Sequence, residues 1–363
     1  MIVVVKIGTS SITDAAGEIN VTAIDRLCAE VAALRSQHHG VIVVTSGAIA
    51  AGLPVLGRVT RPSDPAVLQA VSAVGQSRLM RVYDDKLAGH GLVGGQVLLA
   101  PLDFMHRDTY VQAQTTLAKL LAFGVVPVVN ENDAVADDEI RFGDNDMLAA
   151  LVANLVSADL LVMLTDAPGL LRVNPKRDPD ASLIHEIELI DQEHERMARG
   201  RGTDRGSGGM VSKLFAAKIA TWSGVRVVIA AASRPGVLAD AVSGTAGVGT
   251  VIRPHDRRLP ARKLWIAFAL PAAGTIVVDD GARHALEERQ RSLLPAGIVD
   301  VTGKFDADNA VEISDTQGRV FAKGVVRVGS HELRAVAGRR TADLPEGMPH
   351  EVVHRDDLVV TLP

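Results

Sequence analysis

A single cysteine, Cys28, stands among 363 residues. One thiol can make neither an internal disulfide nor a multi-cysteine metal site, and such scarcity fits a reducing compartment, so a cytoplasmic location is expected. Long apolar runs are missing too. Ile2 to Val5 are too few for a signal-peptide core, and the uncharged stretch from Val41 to Gly57 is interrupted by Gly47, Gly52 and Pro54. No segment is therefore expected to cross a membrane. Positive charge is in deficit, with 38 basic against 43 acidic side chains and a net charge of −5. The whole chain has no electrostatic reason to seek nucleic acid or an anionic membrane, so any anion site has to be local. Internal repeats and low-complexity segments are also absent from the sequence. What remains is 47% apolar and 22% charged, the balance of a globular chain, in a length that predicts about two domains.

From the start to about residue 253, short apolar runs alternate with longer helical patterns. The runs are Met1 to Ile7, Val41 to Thr45, Val125 to Asn130, Leu160 to Thr165 and Val225 to Ala230. Continuous apolar runs of this length read as strands buried on both faces of a parallel sheet. Between the first two, Asn20 can cap a helix in which Ile24, Leu27, Val31 and Leu34 repeat at helical spacing, with Gly40 marking its end. The layout predicts an α/β fold, an open and mainly parallel sheet sandwiched by helices, over residues 1–253. Residues 254–274, with Pro254, Arg257, Arg258, Pro260, Arg262 and Lys263, form a basic, proline-marked linker. Residues 275–363 carry short strand patterns at 297–303, 310–315 and 319–329, which predict a small β-rich barrel.

In an open parallel sheet, ligands bind beyond the carboxyl ends of the strands. Those ends are polar here. Lys6 closes the first run and is followed by Gly8, Thr9, Ser10 and Ser11, putting a cation beside amides and hydroxyls that can meet phosphate oxygens, although this is not the P-loop pattern. Thr203 to Lys213 is a glycine-rich stretch entering a helix, so that Ser207, Gly208, Gly209, Met210, Val211, Ser212 and Lys213 combine free amides, a helix dipole and a second ammonium. Only 9 lysines occur against 29 arginines, which gives lysine at both loops some weight. Asn130-Glu-Asn-Asp133 and Phe142-Gly-Asp-Asn-Asp146 concentrate carboxylates and carboxamides able to hold a substrate ammonium, orient lysines or organise a magnesium nucleotide. The same residue types also favour turns and caps, and Asp144 can cap the helix through Leu148 to Val156. Thr45-Ser46-Gly47 can bind a carboxylate or make a tight turn, and Thr165-Asp166 can touch nucleotide or serve as a cap. His38-His39, His185 and His194 lack metal-ligand spacing, and Cys28 falls on an apolar helical face, as a buried thiol would.

Taken in order, Val5-Lys-Ile-Gly-Thr-Ser, Val44-Thr-Ser-Gly-Ala, Asn130-Glu-Asn-Asp, Phe142-Gly-Asp-Asn-Asp, Leu164-Thr-Asp and Gly206-Ser-Gly-Gly-Met-Val-Ser-Lys resemble the amino-acid kinase family. The tail, with Ser292-Leu-Leu-Pro-Ala-Gly-Ile and Val353-His-Arg-Asp-Asp, resembles a PUA domain. The resemblance is to the members that phosphorylate the side-chain carboxylate of L-glutamate with ATP and Mg2+, opening proline synthesis. It implies that Lys6 and Lys213 hold the transferring phosphoryl group and Asp146 orients both. It further implies that Ser46, Asp133 and Asn145 hold glutamate, and that Thr165, Asp166 and Ser207 to Lys213 bind the nucleotide. Direct metal ligands are not assigned by it. Feedback inhibition by proline, a homo-oligomer, and a reductase partner that receives the acyl phosphate belong to the same expectation. Ser207 and Ser212 stand where threonine is common and keep the hydroxyl, while Ala167-Pro168 replaces a more polar pair.

Three other readings compete. Family members acting on acetylglutamate, aspartate or uridylate would keep the phosphate lysines. A non-catalytic sensor would have no need of both lysines and Asp146. An RNA-binding role for the tail is disfavoured by its 11 basic and 15 acidic side chains between 275 and 363, since RNA contact leaves a basic footprint.

Overall fold

The computed structural model describes the chain apart from residues 15–16, 58–59, 105–106, 136–144, 174–180, 199–208, 257 and 361–363. It divides into two units, Met1–Arg258 and Leu259–Pro363.

In the first unit the apolar runs become strands: β1 (Ile2–Ile7), β2 (Gly40–Val44), β3 (Gly94–Leu99), β4 (Val126–Glu131), β5 (Leu160–Thr165), β6 (Glu186–Ile187), β7 (Arg226–Ala231) and β8 (Thr250–Ile252). They form one sheet in the order β3-β4-β2-β1-β5-β7-β8-β6. Every neighbouring pair is parallel except β7 and β8. The central strands are buried on both faces, as their unbroken Val, Ile and Leu content requires. The helices are α1 (Thr9–Ile12), α2 (Val21–Ser36), α3 (Ala48–Val55), α4 (Pro65–Gly89), α5 (Arg107–Ala122), α6 (Asn145–Leu155), α7 (Gln192–Ala198), α8 (Met210–Trp222) and α9 (Val237–Ser243).

The Asn20 side chain caps α2 as its sequence predicts, accepting from the Ala23 amide at 3.0 Å. The helix ends earlier than Gly40, however. It stops at Ser36, His38 takes the left-handed turn with φ 63°, and Gly40 already belongs to β2. Arg35 supports this exit by donating to the His39 carbonyl at 2.9 Å. Cys28 is buried in the core between α2 and the sheet. Burial, helped by Asp25 and opposed by Lys86, pushes its thiol up to about 12.

Two glycines set the spacing of α3 and α4. A β-carbon on Gly75 would fall 1.7 Å from the Ala48 carbonyl oxygen, and one on Gly52 would fall 2.1 Å from the Val71 carbonyl oxygen. Only glycine permits backbones to approach this closely. The contact fixes α4 against the residues that follow β2. One stripe of α4 buries Leu68, Val71, Ser72, Gly75, Gln76, Leu79, Tyr83 and Leu87, and its polar members turn out to matter for the site.

The second unit contains α10 (Ala261–Leu264), β9 (Ala272–Val278), α11 (Asp280–Glu287), β10 (Ile298–Gly303), β11 (Ala310–Ser314), β12 (Val320–Val326), α12 (Ser330–Val336) and β13 (Val353–Val360). Its five strands make a mixed sheet in the order β10-β9-β11-β12-β13, with only β9 and β11 parallel. Ile276, Val278, Ile313, Phe321, Val326 and Leu333 are among the residues of its separate core.

Candidate active site

Register brings the polar strand ends into one row. Lys6 lies opposite Val44 on one side and Met163 on the other, Val44 lies opposite Val129, and Thr165 lies opposite Ala231. Thr45, Ser46, Asn130, Thr165 and Asp166 therefore share the carboxyl edge with Lys6. This is the edge where parallel sheets gather ligands.

At the centre of that row is Asp146, completely buried in the first turn of α6. Its Oδ1 is 2.5 Å from Lys6 Nζ, and its Oδ2 is 3.0 Å from Lys213 Nζ. The Ser212 hydroxyl reaches the same Oδ2 at 3.0 Å and the Gly209 carbonyl at 2.8 Å. Lys6 comes from the end of β1 and Lys213 from the first turn of α8, whose N-terminus Gly209 opens. Burial works to raise the Asp146 carboxyl, but Lys6 and Lys213, by charge and by hydrogen bond, outweigh it and hold the group at about 2, below its ordinary 3.8. It is thus an anion at neutral pH, spacing two buried ammonium groups that carry one positive charge in excess. Such an arrangement attracts a polyanion and cannot satisfy itself internally. Gly8 follows two residues after Lys6, and a β-carbon there would stand 3.6 Å from Lys6 Nζ.

On one side of Lys6, Thr165 donates to Asp166 at 3.1 Å. Both border a cavity of about 450 Å³ that Ser10, Ser11, Ser233 and Arg234 also line, a size within the usual range for small-molecule sites. On the other side, Ser46 precedes Gly47, whose φ of 93° makes the turn into α3 possible. Asn145 donates through Nδ2 to the Thr45 carbonyl and, at 2.5 Å, to Asn130 Oδ1. Asp133 accepts from the Ser72 hydroxyl at 2.7 Å. The backing of this arm is buried. Thr45 Oγ1 shares a 2.9 Å hydrogen bond with the hydroxyl of Tyr83, whose burial drives its pKa up, against the Thr45 hydrogen bond.

Among the sequence candidates, Lys6, Asp146, Ser212 and Lys213 thus meet directly, and Asn145 adjoins Asp146 in the chain. Ser46, Asp133, Thr165 and Asp166 lie at neighbouring strand ends. Gly209, Met210 and Val211 begin α8, while Ser207 and Gly208, like Phe142, Gly143 and Asp144, lie outside the described residues. Ser72, Gln76 and Tyr83 on α4 are additions that sequence reading missed. Their signal was polarity on a buried stripe: positions 68, 72, 75, 76, 79, 83 and 87 recur at helical spacing.

An open α/β sheet whose carboxyl edge carries two lysines bridled by one buried carboxylate defines a phosphoryl-handling enzyme. Residues 1–231 match the amino acid kinase family and residues 274–348 match the PUA domain. Over 362 residues the chain is 42% identical to a glutamate 5-kinase of Pelobacter propionicus, covering 99% of this chain and 97% of the relative. It is 44% identical to one of Trichlorobacter lovleyi, over 99% of this chain and 96% of the relative. Among solved structures, the carbamate kinase of Giardia lamblia bound to AMP-PNP shares the fold, with a TM-score of 0.50 and 16% identity over 69% of this chain and 98% of that one. The chain belongs to the amino acid kinase family and, through its full-length relatives, to the glutamate 5-kinases within it. It is a kinase with a PUA domain.

Proposed function

We propose that this enzyme transfers the γ-phosphoryl group of ATP to the side-chain carboxylate of L-glutamate, giving glutamyl 5-phosphate at the start of proline synthesis. The observation that carries the proposal is Asp146 held between Lys6 and Lys213 at 2.5 and 3.0 Å. A carboxylate acceptor is already a nucleophile at neutral pH, so the site needs no general base. It needs two anions brought together, and that is a matter of alignment and charge neutralisation.

In this reading a glutamate side-chain oxygen attacks the γ-phosphorus in line, the bond to the β,γ-bridging oxygen breaks, and ADP leaves with that electron pair. The enzyme forms no covalent intermediate. Lys6 and Lys213 screen the phosphoryl oxygens and the approaching carboxylate, and Asp146 keeps the two ammonium groups spaced and aimed. Ser46, Asp133 and Asn145 hold glutamate on the β2 and β4 side. Thr165 and Asp166, with the segment from Ser207 to Lys213, hold ATP on the β5 side. Among the described residues no group of three His, Cys, Asp or Glu side chains fits a resident metal ion. Mg2+ enters the reading as the companion of the nucleotide phosphates.

Residues 1–253 would carry this chemistry, with 254–274 as the linker and 275–363 as the PUA unit. The family likeness also supports inhibition by proline, assembly into a homo-oligomer, delivery of the acyl phosphate to a reductase and a cytoplasmic location. No helix among the described residues is long and apolar enough to cross a membrane. The test is ATP consumption with Mg2+ and L-glutamate, the product being trapped as its hydroxamate, beside N-acetylglutamate, aspartate and uridylate. Hydroxamate formed with glutamate is expected. Turnover with another acceptor alone would overturn the substrate assignment.

A further inference from the structure

Behind the glutamate arm lies a chain of three buried carboxamides, contributed by Gln76 of α4, Asn130 of β4 and Asn145 of α6. All three are less than one-tenth exposed. An amide can present either its oxygen or its nitrogen in a given direction, so its polarity must be fixed by groups that have no such choice. Backbone groups do this here. The Glu131 carbonyl can only accept, and it takes a hydrogen bond from Gln76 Nε2 at 3.3 Å. Gln76 Oε1 must then face the other way, where it accepts from Asn130 Nδ2 at 3.2 Å and more weakly from Gln96 Nε2 at 3.5 Å. The Glu131 amide can only donate, and it locks Asn130 Oδ1 at 3.0 Å. That oxygen also accepts from Asn145 Nδ2 at 2.5 Å, and the Thr45 carbonyl accepts from the same nitrogen.

The consequence runs outward along the chain. Both hydrogens of Asn145 Nδ2 are consumed by the protein, which leaves Oδ1 as the only group this side chain can offer to a substrate. Its offer is an acceptor, suited to an ammonium and hostile to a carboxylate. We propose that Gln76 is a positioning residue for the amino-acid substrate: by accepting from Asn130 Nδ2 it braces the carboxamide on which Asn145 is set, so that Asn145 Oδ1 is held to receive the α-ammonium group of glutamate. The inference rests on the assignment of glutamate to this arm and adds a residue and an orientation to it. Gln76 touches neither substrate nor phosphate. Its loss takes the Gln76 acceptor from Asn130 Nδ2 and leaves that carboxamide tethered by the Glu131 amide alone, so the oxygen against which Asn145 is set loosens.

The experiment is steady-state kinetics on the full chain with Gln76→Met, a change that keeps volume and removes all three polar contacts. The glutamate KM should rise about tenfold, equivalent to about 1.4 kcal/mol. The ATP KM and kcat should stay within about twofold. A merely structural role would not produce that split. In the background of Asn145→Ala, Gln76→Met should add no further change in glutamate KM, because the residue through which it acts has gone. Gln76→Leu gives a second handle if the methionine variant fails to fold. It too removes the acceptor for Asn130, and should raise the glutamate KM as well. An unchanged glutamate KM in a wild-type background that turns over glutamate overturns the positioning role alone, as does an equal loss in ATP KM and kcat. Failure of the wild-type chain to phosphorylate glutamate overturns both the role and the substrate reading beneath it.

Discussion

Replacing Lys213 with methionine tests the centre of the mechanism. The change removes a buried ammonium while keeping much of its apolar stem, and it leaves Asp146 with Lys6 at 2.5 Å and the Ser212 hydroxyl at 3.0 Å. At about 4 Å from a phosphoryl oxygen, and at an effective dielectric of about 20, one unit charge contributes about 4 kcal/mol. That corresponds to about three decades of rate. Part of this attraction already acts on ATP before transfer, because the nucleotide is an anion in the ground state. We therefore expect kcat to fall about 10²- to 10³-fold, with a smaller rise in ATP KM. Glutamate KM should move less than about twofold, since Ser46, Asp133 and Asn145 lie on the opposite arm. The assay is hydroxamate formation together with ADP release at saturating Mg2+. Equal losses in kcat and in glutamate affinity would show that Lys213 serves substrate binding instead, and the division of the site into two arms would fall with it.

Asp146→Asn should destabilise the first unit by about 3–5 kcal/mol, because two buried ammonium groups lose their shared counter-charge; a change below about 1 kcal/mol in urea unfolding would contradict the burial argument. The same carboxyl gives a pH dependence of definite sign. Its folded value of about 2 lies below the ordinary 3.8, so its ionised form contributes stability that is fully present above about pH 4 and is lost as the pH falls toward 2, an amount on the order of 2 kcal/mol. The stability gap between wild type and Asp146→Asn should accordingly narrow between pH 5 and pH 2, and a constant gap would refute the linkage. Gly75→Ala should lower the melting temperature by about 5 °C or more, since its β-carbon would meet the Ala48 carbonyl and push α4 away from α3; wild-type melting would show that the helices separate freely. Ser72→Ala, which removes the 2.7 Å hydrogen bond to Asp133, should raise glutamate KM about three- to tenfold with ATP KM unmoved, as measured by the same hydroxamate assay.

The central sheet was legible because β1, β2, β4, β5 and β7 are buried on both faces and so announce themselves as unbroken apolar runs. β3 was not. It is an edge strand with several half-exposed positions, and Gly94-Gly95-Gln96 carries little strand signal until β4 supplies a partner. β6 and β8, at two and three residues, are too short for any period to show. The end of α2 was misjudged at Gly40 because a histidine, His38, occupies the left-handed turn that glycine usually takes. At the site, Lys6 and Lys213 stand out in sequence as lysines in two polar loops, whereas it is the family resemblance that joins Asp146 to them, because its motif by itself reads equally as a cap or turn. Gln76 and Tyr83 could not be recognised. A glutamine in mid-helix reads as solvated until the chain is folded and Asn130, 54 residues away, arrives to complete it.

Cys28 offers an experimental convenience. A thiol held at about 12 within the α2 core has almost no thiolate at neutral pH, and alkylating probes react with the thiolate. The natural chain is therefore a silent background for site-specific labelling. A cysteine placed at Phe123, which is 76% exposed at the end of α5, would be the one rapidly modified position. A fluorophore there would follow the first unit while substrate or nucleotide is added, without any need to remove the native thiol and disturb the packing around it.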